Sequence, residues 1–76
     1  MALAYVLINV ESGQEADVSK ALGGISEVKE IYGLYGLYDI IVKIEVDSVS
    51  MVRDVVSSKI RSLKGVRSTL TMIVVE

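Results

Sequence analysis

The chain has 76 residues, carries eight basic and ten acidic side chains for a formal net charge of −2, and is 51% hydrophobic. This length allows one small domain, residues 1–76, and the near balance of charge does not predict the basic face of a nucleic-acid-binding protein. Because the chain contains no His and no Cys, disulfides and the usual nitrogen and sulfur ligands of metals are excluded, and we expect neither a metal nor a cofactor.

The sequence carries no signal for a membrane or for export. No apolar run approaches the roughly 18 residues that a transmembrane helix requires. The opening MALAYVLINV lacks the positive start and the small-residue cleavage site of a signal peptide. We therefore expect a cytoplasmic protein.

The first third of the chain predicts a strand and then a helix. The apolar run LAYVLINV is rich in β-forming residues and predicts strand one at about Ala4 to Val10. Ser12, with Glu15 three residues later, forms the capping-box pattern that begins a helix. The predicted helix presents one apolar stripe, formed by Val18, Ala21, Leu22 and Ile25. Gly23-Gly24 is expected to end it.

The rest of the chain predicts two strands, a helix and a final strand. Strand two is expected at about Val28 to Leu34 and strand three at about Tyr38 to Val46, and YGLYGLY joins them. Asp47 or Ser48 would cap the second helix, and Gly65 would be its C′ residue. The stripe of that helix consists of Val49, Val52, Val56, Ile60 and Leu63. Strand four is VRSTLTMIVVE.

This order is βαββαβ, which predicts an α+β ferredoxin-like fold: a four-stranded antiparallel sheet with strands one and three central and both helices on one face. Strands one and four are apolar on both faces, with Val6 and Ile8 on one side of strand one and Tyr5 and Leu7 on the other. Two helices cover only one face, so we expect a second copy of the chain to cover the other.

Asp39 is the acidic side chain that the predicted elements explain least, because Asp is depleted in strands. General acid–base catalysis needs a second group tuned against it, and the sequence offers none nearby, so we expect a protein that is not an enzyme and has no catalytic residues.

RNA binding is an alternative that the element order itself raises, because RNA-recognition domains stack bases on aromatic side chains of their central strands. The stretch YGLYDIIV has Ile and Val where stacking rings are required, and the net charge has the wrong sign for binding phosphates. We therefore expect no direct contact with nucleic acid.

Two segments resemble one family of regulators. VKEIYGLYGLYDIIVKIEV, residues 28–46, is similar to the Gly-x-Tyr-Asp segment in the effector-binding (RAM) domain of the Lrp/AsnC (feast/famine) transcriptional regulators. LKGVRSTLTMIVV, residues 63–75, is similar to the closing Gly-Val-x-x-Thr-x-Thr strand of that domain. The resemblance covers essentially the whole chain, and the two motifs at this separation are more specific together than either is alone.

The resemblance implies a homodimer that assembles into rings and binds a small effector, typically an amino acid, where the turn between strands two and three meets a neighbouring dimer. The ligand-binding residues carried over from the family motifs are Gly36, Tyr38, Asp39, Thr69 and Thr71. Asp39 would accept from the ligand ammonium, turn N–H groups around Gly36 would receive its carboxylate, and the two threonines would supply directional hydroxyls. Tyr35 departs from the family, which usually has a small polar residue before the turn glycine.

Full-length members of the family carry an N-terminal helix-turn-helix, and this sequence starts at strand one, so we expect a stand-alone effector domain. The expected function is amino-acid sensing and oligomerisation that modulates transcription or amino-acid metabolism, with full-length Lrp/AsnC regulators as candidate partners. A purely structural assembly partner without a ligand is the open alternative, followed by an RNA-binding module of the same topology.

Overall fold

The computed structural model describes residues 1–75 and confirms the predicted βαββαβ order. The elements are β1 (Ala2–Val10), α1 (Glu15–Gly23), β2 (Val28–Gly33), β3 (Ile40–Val46), α2 (Val49–Val55) and β4 (Val66–Ile73). Residues Val56–Ile60 continue α2 as a π-helical turn. The strands form one antiparallel sheet in the order β2–β3–β1–β4, so β1 and β3 are central, as the ferredoxin-like fold requires.

The hydrophobic core lies between the sheet and the two helices. Every second residue of β1 is buried, from Ala2 to Val10, and the same alternation runs along β3. Paired residues such as Val6 and Val42 share the face that the helices cover. The helices contribute Val18, Leu22, Val52, Val55, Val56 and Ile60 to this core. Burying one such side chain contributes about 1.5–3 kcal/mol, so this face is the main source of stability.

The opposite face of the sheet, here called the open face, carries no helix within residues 1–75. Leu7 lies directly opposite Leu70, and Tyr5 lies opposite Met72 in the neighbouring pair. Leu70 and Met72 are 46% and 42% exposed. The sequence predicted this second apolar surface from the alternation in strands one and four, and the structure confirms that it exists.

The start of α1 differs from the capping box predicted at Ser12. The helix begins at Glu15, and Gln14 occupies its N-cap position without a side-chain hydrogen bond. Gly13 has a φ of 86° and turns the chain before the helix begins. Because of this turn, Glu15 accepts a hydrogen bond from the Gly13 N–H at 3.0 Å instead of closing a box with Ser12. The predicted Ser12 cap is wrong.

The start of α2 agrees with the prediction, since Ser48 Oγ accepts a hydrogen bond from the Met51 N–H at 3.4 Å. The π-helical turn that follows was not predicted. There the hydrogen bonds reach back five residues, and the Arg61 N–H donates to the Val56 carbonyl at 2.8 Å.

Gly65 was predicted to be the C′ residue of this helix, but the helical turns end at Ile60. Gly65 instead turns the chain into β4 with a φ of 99°. Its carbonyl accepts from the Glu11 N–H at 2.7 Å, which ties the start of β4 to the end of β1.

The predicted apolar stripes are confirmed in part. Val18 and Leu22 of α1 are buried, whereas Ala21 is exposed. Val49, in the first turn of α2, is 50% exposed although the stripe included it, and Val55 is buried although the stripe omitted it. The inward face of α2 is therefore rotated relative to the one predicted from the sequence spacing.

The predicted strand ends differ from the observed ones by a residue or two. The strands begin at Ala2 rather than Ala4 and at Ile40 rather than Tyr38, and β2 ends at Gly33 rather than Leu34. Glu76, the last residue of predicted strand four, lies outside the described residues. Within residues 1–75, no helix has the length and apolar character needed to cross a bilayer.

Candidate functional site

The β2–β3 turn, residues 34–39, presents apolar side chains to solvent. The Leu34 N–H donates to the Asp39 carbonyl at 2.8 Å and closes the turn, and Gly36 supplies a φ of 119°. At the tip, the side chain of Tyr35 is fully exposed and that of Leu37 is 90% exposed. A residue with a Cβ would be strained at this φ, which explains why position 36 is Gly.

Asp39 joins this turn to the end of β1. Its Oδ2 accepts from the Val10 N–H at 2.8 Å, and its own N–H donates to the Ile8 carbonyl at 3.0 Å. The β1–β3 pairing ends with Ile8 opposite Ile40, so the carboxylate takes the place of a strand carbonyl for Val10. The Oδ1 atom makes no protein hydrogen bond within residues 1–75 and is free to accept one from a ligand.

A shallow hollow of about 340 Å³ lies beside the turn, lined by Gly33, Leu34, Tyr35 and Asp39. Tyr35 forms one wall of this hollow, but its exposed ring leaves the space open. Of the predicted turn residues, only Asp39 reaches it. Gly36 and the half-buried Tyr38 line neither this hollow nor the cleft described next.

A second cavity, here called the β4–α2 cleft, has a volume of about 350 Å³ and lies between the edge strand β4 and the helix formed by α2 and its π-helical turn. Its apolar lining consists of Val49, Val52, Val56 and Ile73. Its polar lining consists of Arg53, Ser57, Arg61, Thr69 and Thr71. This cleft contains both threonines that the sequence predicted to bind a ligand.

The two predicted halves of the site do not converge within one protomer. Thr69 lies opposite Ile8 on β1, and Ile8 lies opposite Ile40 on β3. Neighbouring strands are roughly 4.8 Å apart, so the backbone of Thr69 is roughly 10 Å from the start of β3. Thr69 and Thr71 face the helix side of the sheet with Ile8 and Val6. A single small ligand bound to one protomer therefore contacts either Asp39 or the two threonines.

Arg53, Ser57 and Arg61 are cleft residues that the sequence reasoning did not select. They are exposed, but toward the cleft. Their spacing of four residues was the available signal, since positions i, i+4 and i+8 lie along one side of a helix.

The open face carries a polar network on β2 and β3. Lys43 Nζ lies 3.2 Å from Glu30 Oε2 and 3.7 Å from Glu45 Oε2, and the Tyr32 hydroxyl donates to Glu30 Oε1 at 2.8 Å. The bonds from Tyr32 and then Lys43 lower the pKa of Glu30. In turn, Glu30 raises the pKa of Tyr32 and the pKa of Lys43.

No three acidic side chains among residues 1–75 come together around one point. The β4–α2 cleft has no acidic lining residue.

Comparison with known proteins places these features in a family. A family model for the Lrp/AsnC ligand binding domain matches residues 3–76. The crystal structure of FFRP-DM1 is 37% identical, with a TM-score of 0.94, and the match covers 99% of this chain and 100% of that one. The hypothetical protein PHS023 from Pyrococcus horikoshii is also 37% identical, with a TM-score of 0.91, over 100% of this chain and 92% of that one.

A third structure is that of a longer protein, the feast or famine regulatory protein Rv3291c from M. tuberculosis, solved in complex with L-methionine. It is 26% identical, with a TM-score of 0.86, over 100% of this chain and 51% of that one. The present chain thus spans about half the length of Rv3291c. No protein with a curated description is significantly similar to this chain in sequence.

Proposed function

We propose, from the premise that this chain belongs to the Lrp/AsnC ligand-binding domain family, that it is a non-enzymatic regulatory domain that binds an amino acid as its effector. The observation that carries the proposal is that residues of the two family motifs line two small cavities, Asp39 in one and Thr69 and Thr71 in the other. The L-methionine complex of Rv3291c supports an amino acid as the ligand class.

The proposed ligand-binding residues are those of the two motifs: Gly36, Tyr38, Asp39, Thr69 and Thr71. Because the turn and the β4–α2 cleft are separated in one protomer, a complete site needs the turn of one copy to approach the cleft of another. The exposed Tyr35 and Leu37 at the turn tip favour such a contact, since large apolar side chains at a loop tip gain from burial between subunits.

The proposed assembly begins with a homodimer through the open face. Leu7, Leu70, Tyr5 and Met72 form an apolar surface there that two helices cannot cover, and a second copy would bury it. Dimers would then associate through their β2–β3 turns into a ring. Effector binding between dimers would change the stability of that ring, which is the proposed regulatory signal.

The proposed setting is the cytoplasm, with full-length Lrp/AsnC regulators as partners. Those regulators would supply DNA binding, and the present chain would join their assemblies through the same apolar surfaces. The effect would be to make transcription, or the metabolism of amino acids, respond to the effector.

A purely structural assembly partner without a ligand is the second candidate. It is favoured by one observation: the Asp39 carboxylate already accepts a hydrogen bond from the Val10 N–H, so its presence does not by itself require a ligand. The two candidates predict the same oligomer and differ only in whether an amino acid binds to it.

Calorimetric titration of the native assembly with each of the twenty amino acids separates them. We expect saturable heat from at least one amino acid, lost in Asp39→Asn and in Thr69→Val, with native mass unchanged in both. Ser19→Ala, a hydroxyl deletion on α1, is the matched control and should bind normally. Silence from all twenty amino acids contradicts the sensing proposal and leaves the structural one.

A further inference from the structure

The β4–α2 cleft is cationic and contains no acidic lining residue. Arg53 and Arg61 line it, and neither forms an ion pair with a carboxylate of residues 1–75. In a chain whose net charge is −2, two arginines without such partners beside one cavity point to an anionic ligand.

The π-helical turn contributes directly to this arrangement. Val56, Ser57 and Arg61 all belong to it or follow it immediately, and all three line the cleft. A π-helical turn is rare and is frequently found at functional sites. It therefore marks the cleft independently of the charge on the two arginines.

The remaining lining defines the body of the ligand. Val52, Val56 and Ile73 supply an aliphatic wall, and Thr69 and Thr71 supply two hydroxyls from β4. A volume of about 350 Å³ lies at the small end of ligand cavities. A short branched aliphatic chain with one carboxylate fits these properties, and the threonine hydroxyls can donate to one further oxygen.

The cleft has no partner for an ammonium group. Asp39 is the only carboxylate among the predicted ligand-binding residues, and it lies across β1 with one oxygen held by the Val10 N–H. An amino acid bound in the cleft alone would place its ammonium beside two guanidinium groups without a compensating carboxylate, which is unfavourable. A 2-oxo acid with the same carbon skeleton carries an oxo oxygen in place of the ammonium group, so it avoids the repulsion from the two guanidinium groups.

We propose that the β4–α2 cleft binds a small aliphatic 2-oxo acid, with its carboxylate on Arg53 and Arg61 and its oxo oxygen on Thr69 and Thr71. This inference rests on the proposed function, because the two threonines belong to both sites, and it adds a ligand class distinct from amino acids. Amino acids and 2-oxo acids are interconverted by transamination, so the class of reaction that supplies one ligand consumes the other.

The probe is 3-methyl-2-oxobutanoate, compared with L-valine, which has the same carbon skeleton. Both are titrated into the Asp39→Asn assembly, in which no turn of a neighbouring copy can bring a carboxylate to the cleft. Binding is followed by calorimetry and by the methyl resonances of Thr69 and Thr71. We expect the oxo acid to saturate those resonances and to bind at least tenfold more tightly there than L-valine. Arg53→Gln and Arg61→Gln should each weaken it about tenfold, as the loss of a charge-assisted hydrogen bond predicts.

Arg67→Gln is the matched control, since Arg67 is an exposed arginine of β4 outside the cleft, and it should leave binding unchanged. The oxo oxygen is tested with 3-methylbutanoate, which lacks it: Thr71→Val should weaken the oxo acid several-fold and leave 3-methylbutanoate unaffected.

The proposal is overturned if the oxo acid does not bind, if both arginine variants bind it as the wild type does, or if L-valine binds the cleft more tightly. Should an amino acid still bind in an Asp39-dependent manner, only the cleft inference fails and the proposed function stands. If no amino acid binds either, the sensing function fails with it.

Discussion

Asp39 accepts a hydrogen bond at 2.8 Å from the backbone N–H of Val10, which lies 29 residues earlier in the chain. The bond anchors the β2–β3 turn to the end of β1 at the point where the strand pairing stops. The residue that the family motif predicts to contact a ligand thus has a structural role in this protein.

Asp39→Ala should therefore destabilise the fold even without a ligand. The Val10 N–H would lose a charged acceptor in a half-buried position, which lowers the free energy of unfolding by about 1.5–3 kcal/mol. Asp39→Asn should cost less, because its amide oxygen can still accept. Urea denaturation measures both, and Asp47→Ala, in the exposed loop before α2, serves as the control. Equal stability of the Asp39→Ala and Asp47→Ala proteins would argue against the anchoring role.

Gly65→Ala should be among the most damaging small substitutions. Gly65 has a φ of 99°, and an added Cβ would lie 2.9 Å from Gln14 Cβ and 3.0 Å from Val18 Cγ2. Strain and overlap together should lower the unfolding free energy by about 2–4 kcal/mol.

Two other glycines separate these causes. Gly13 has a φ of 86°, but a Cβ added there would contact no other atom. Gly13→Ala should therefore lower the unfolding free energy only through backbone strain, by about 1–2 kcal/mol. Gly33 has neither a positive φ nor a close neighbour, so Gly33→Ala should change the unfolding free energy by less than about 0.5 kcal/mol. Thermal melts of the three variants should follow that order, and a Gly65→Ala protein as stable as the Gly33→Ala protein would refute it.

The network around Glu30 should make stability depend on pH in a defined direction. Tyr32 and Lys43 lower the pKa of Glu30. The contribution of Glu30 to the stability of the fold is therefore present above its ordinary pKa of 4.5 and is lost as the pH falls through the lowered pKa. Glu30 raises the pKa of Lys43. The contribution of Lys43 to the stability of the fold is therefore present below its ordinary pKa and is lost as the pH rises through the raised pKa.

Glu30→Gln should flatten the acid limb of the urea midpoint plotted against pH. Because these groups are near solvent, added salt should reduce the difference from wild type. Asp54→Asn, on the exposed side of α2, is the matched control and should keep the wild-type profile. An unchanged acid limb in Glu30→Gln would contradict the assignment.

Leu70→Glu should break the proposed dimer. The substitution places a charge on the apolar part of the open face, where burial against a second copy would leave it unpaired. Light scattering should give a mass of at least two 8.2 kDa chains for the wild type and a smaller mass for the variant. Met51→Glu on α2 changes a side chain of similar exposure, 38% against 46%, and should leave the mass unchanged. A monomeric wild type would rule out the dimer.

The fold was predictable because its main signals are local. Alternation along β1 and β3, and the spacing of Val18 and Leu22 in α1, depend only on which face of a strand or helix each residue occupies. The Ser48 cap was found for the same reason. The Ser12 cap and the exposed Val49 were misjudged because the Gly13 turn and the packing of α2 depend on contacts beyond the local pattern.

The candidate site was predictable only as a set of residue types. Two family motifs predicted Asp39, Thr69 and Thr71 as ligand-binding residues, but their separation depends on the strand order β2–β3–β1–β4, which places β1 between them. Strand order arises from pairings between distant segments, and no local spacing encodes it.

By itself, the sequence determined the βαββαβ order, the core face of each strand and the presence of a second apolar face, because side-chain periodicity expresses all three directly. Only the tertiary structure decided that Asp39 anchors Val10, and that Arg53 and Arg61 share a cleft with Thr69 and Thr71. The reason is physical: a hydrogen bond or a cavity exists where segments distant in sequence meet, and that meeting is settled by the packing of the whole chain.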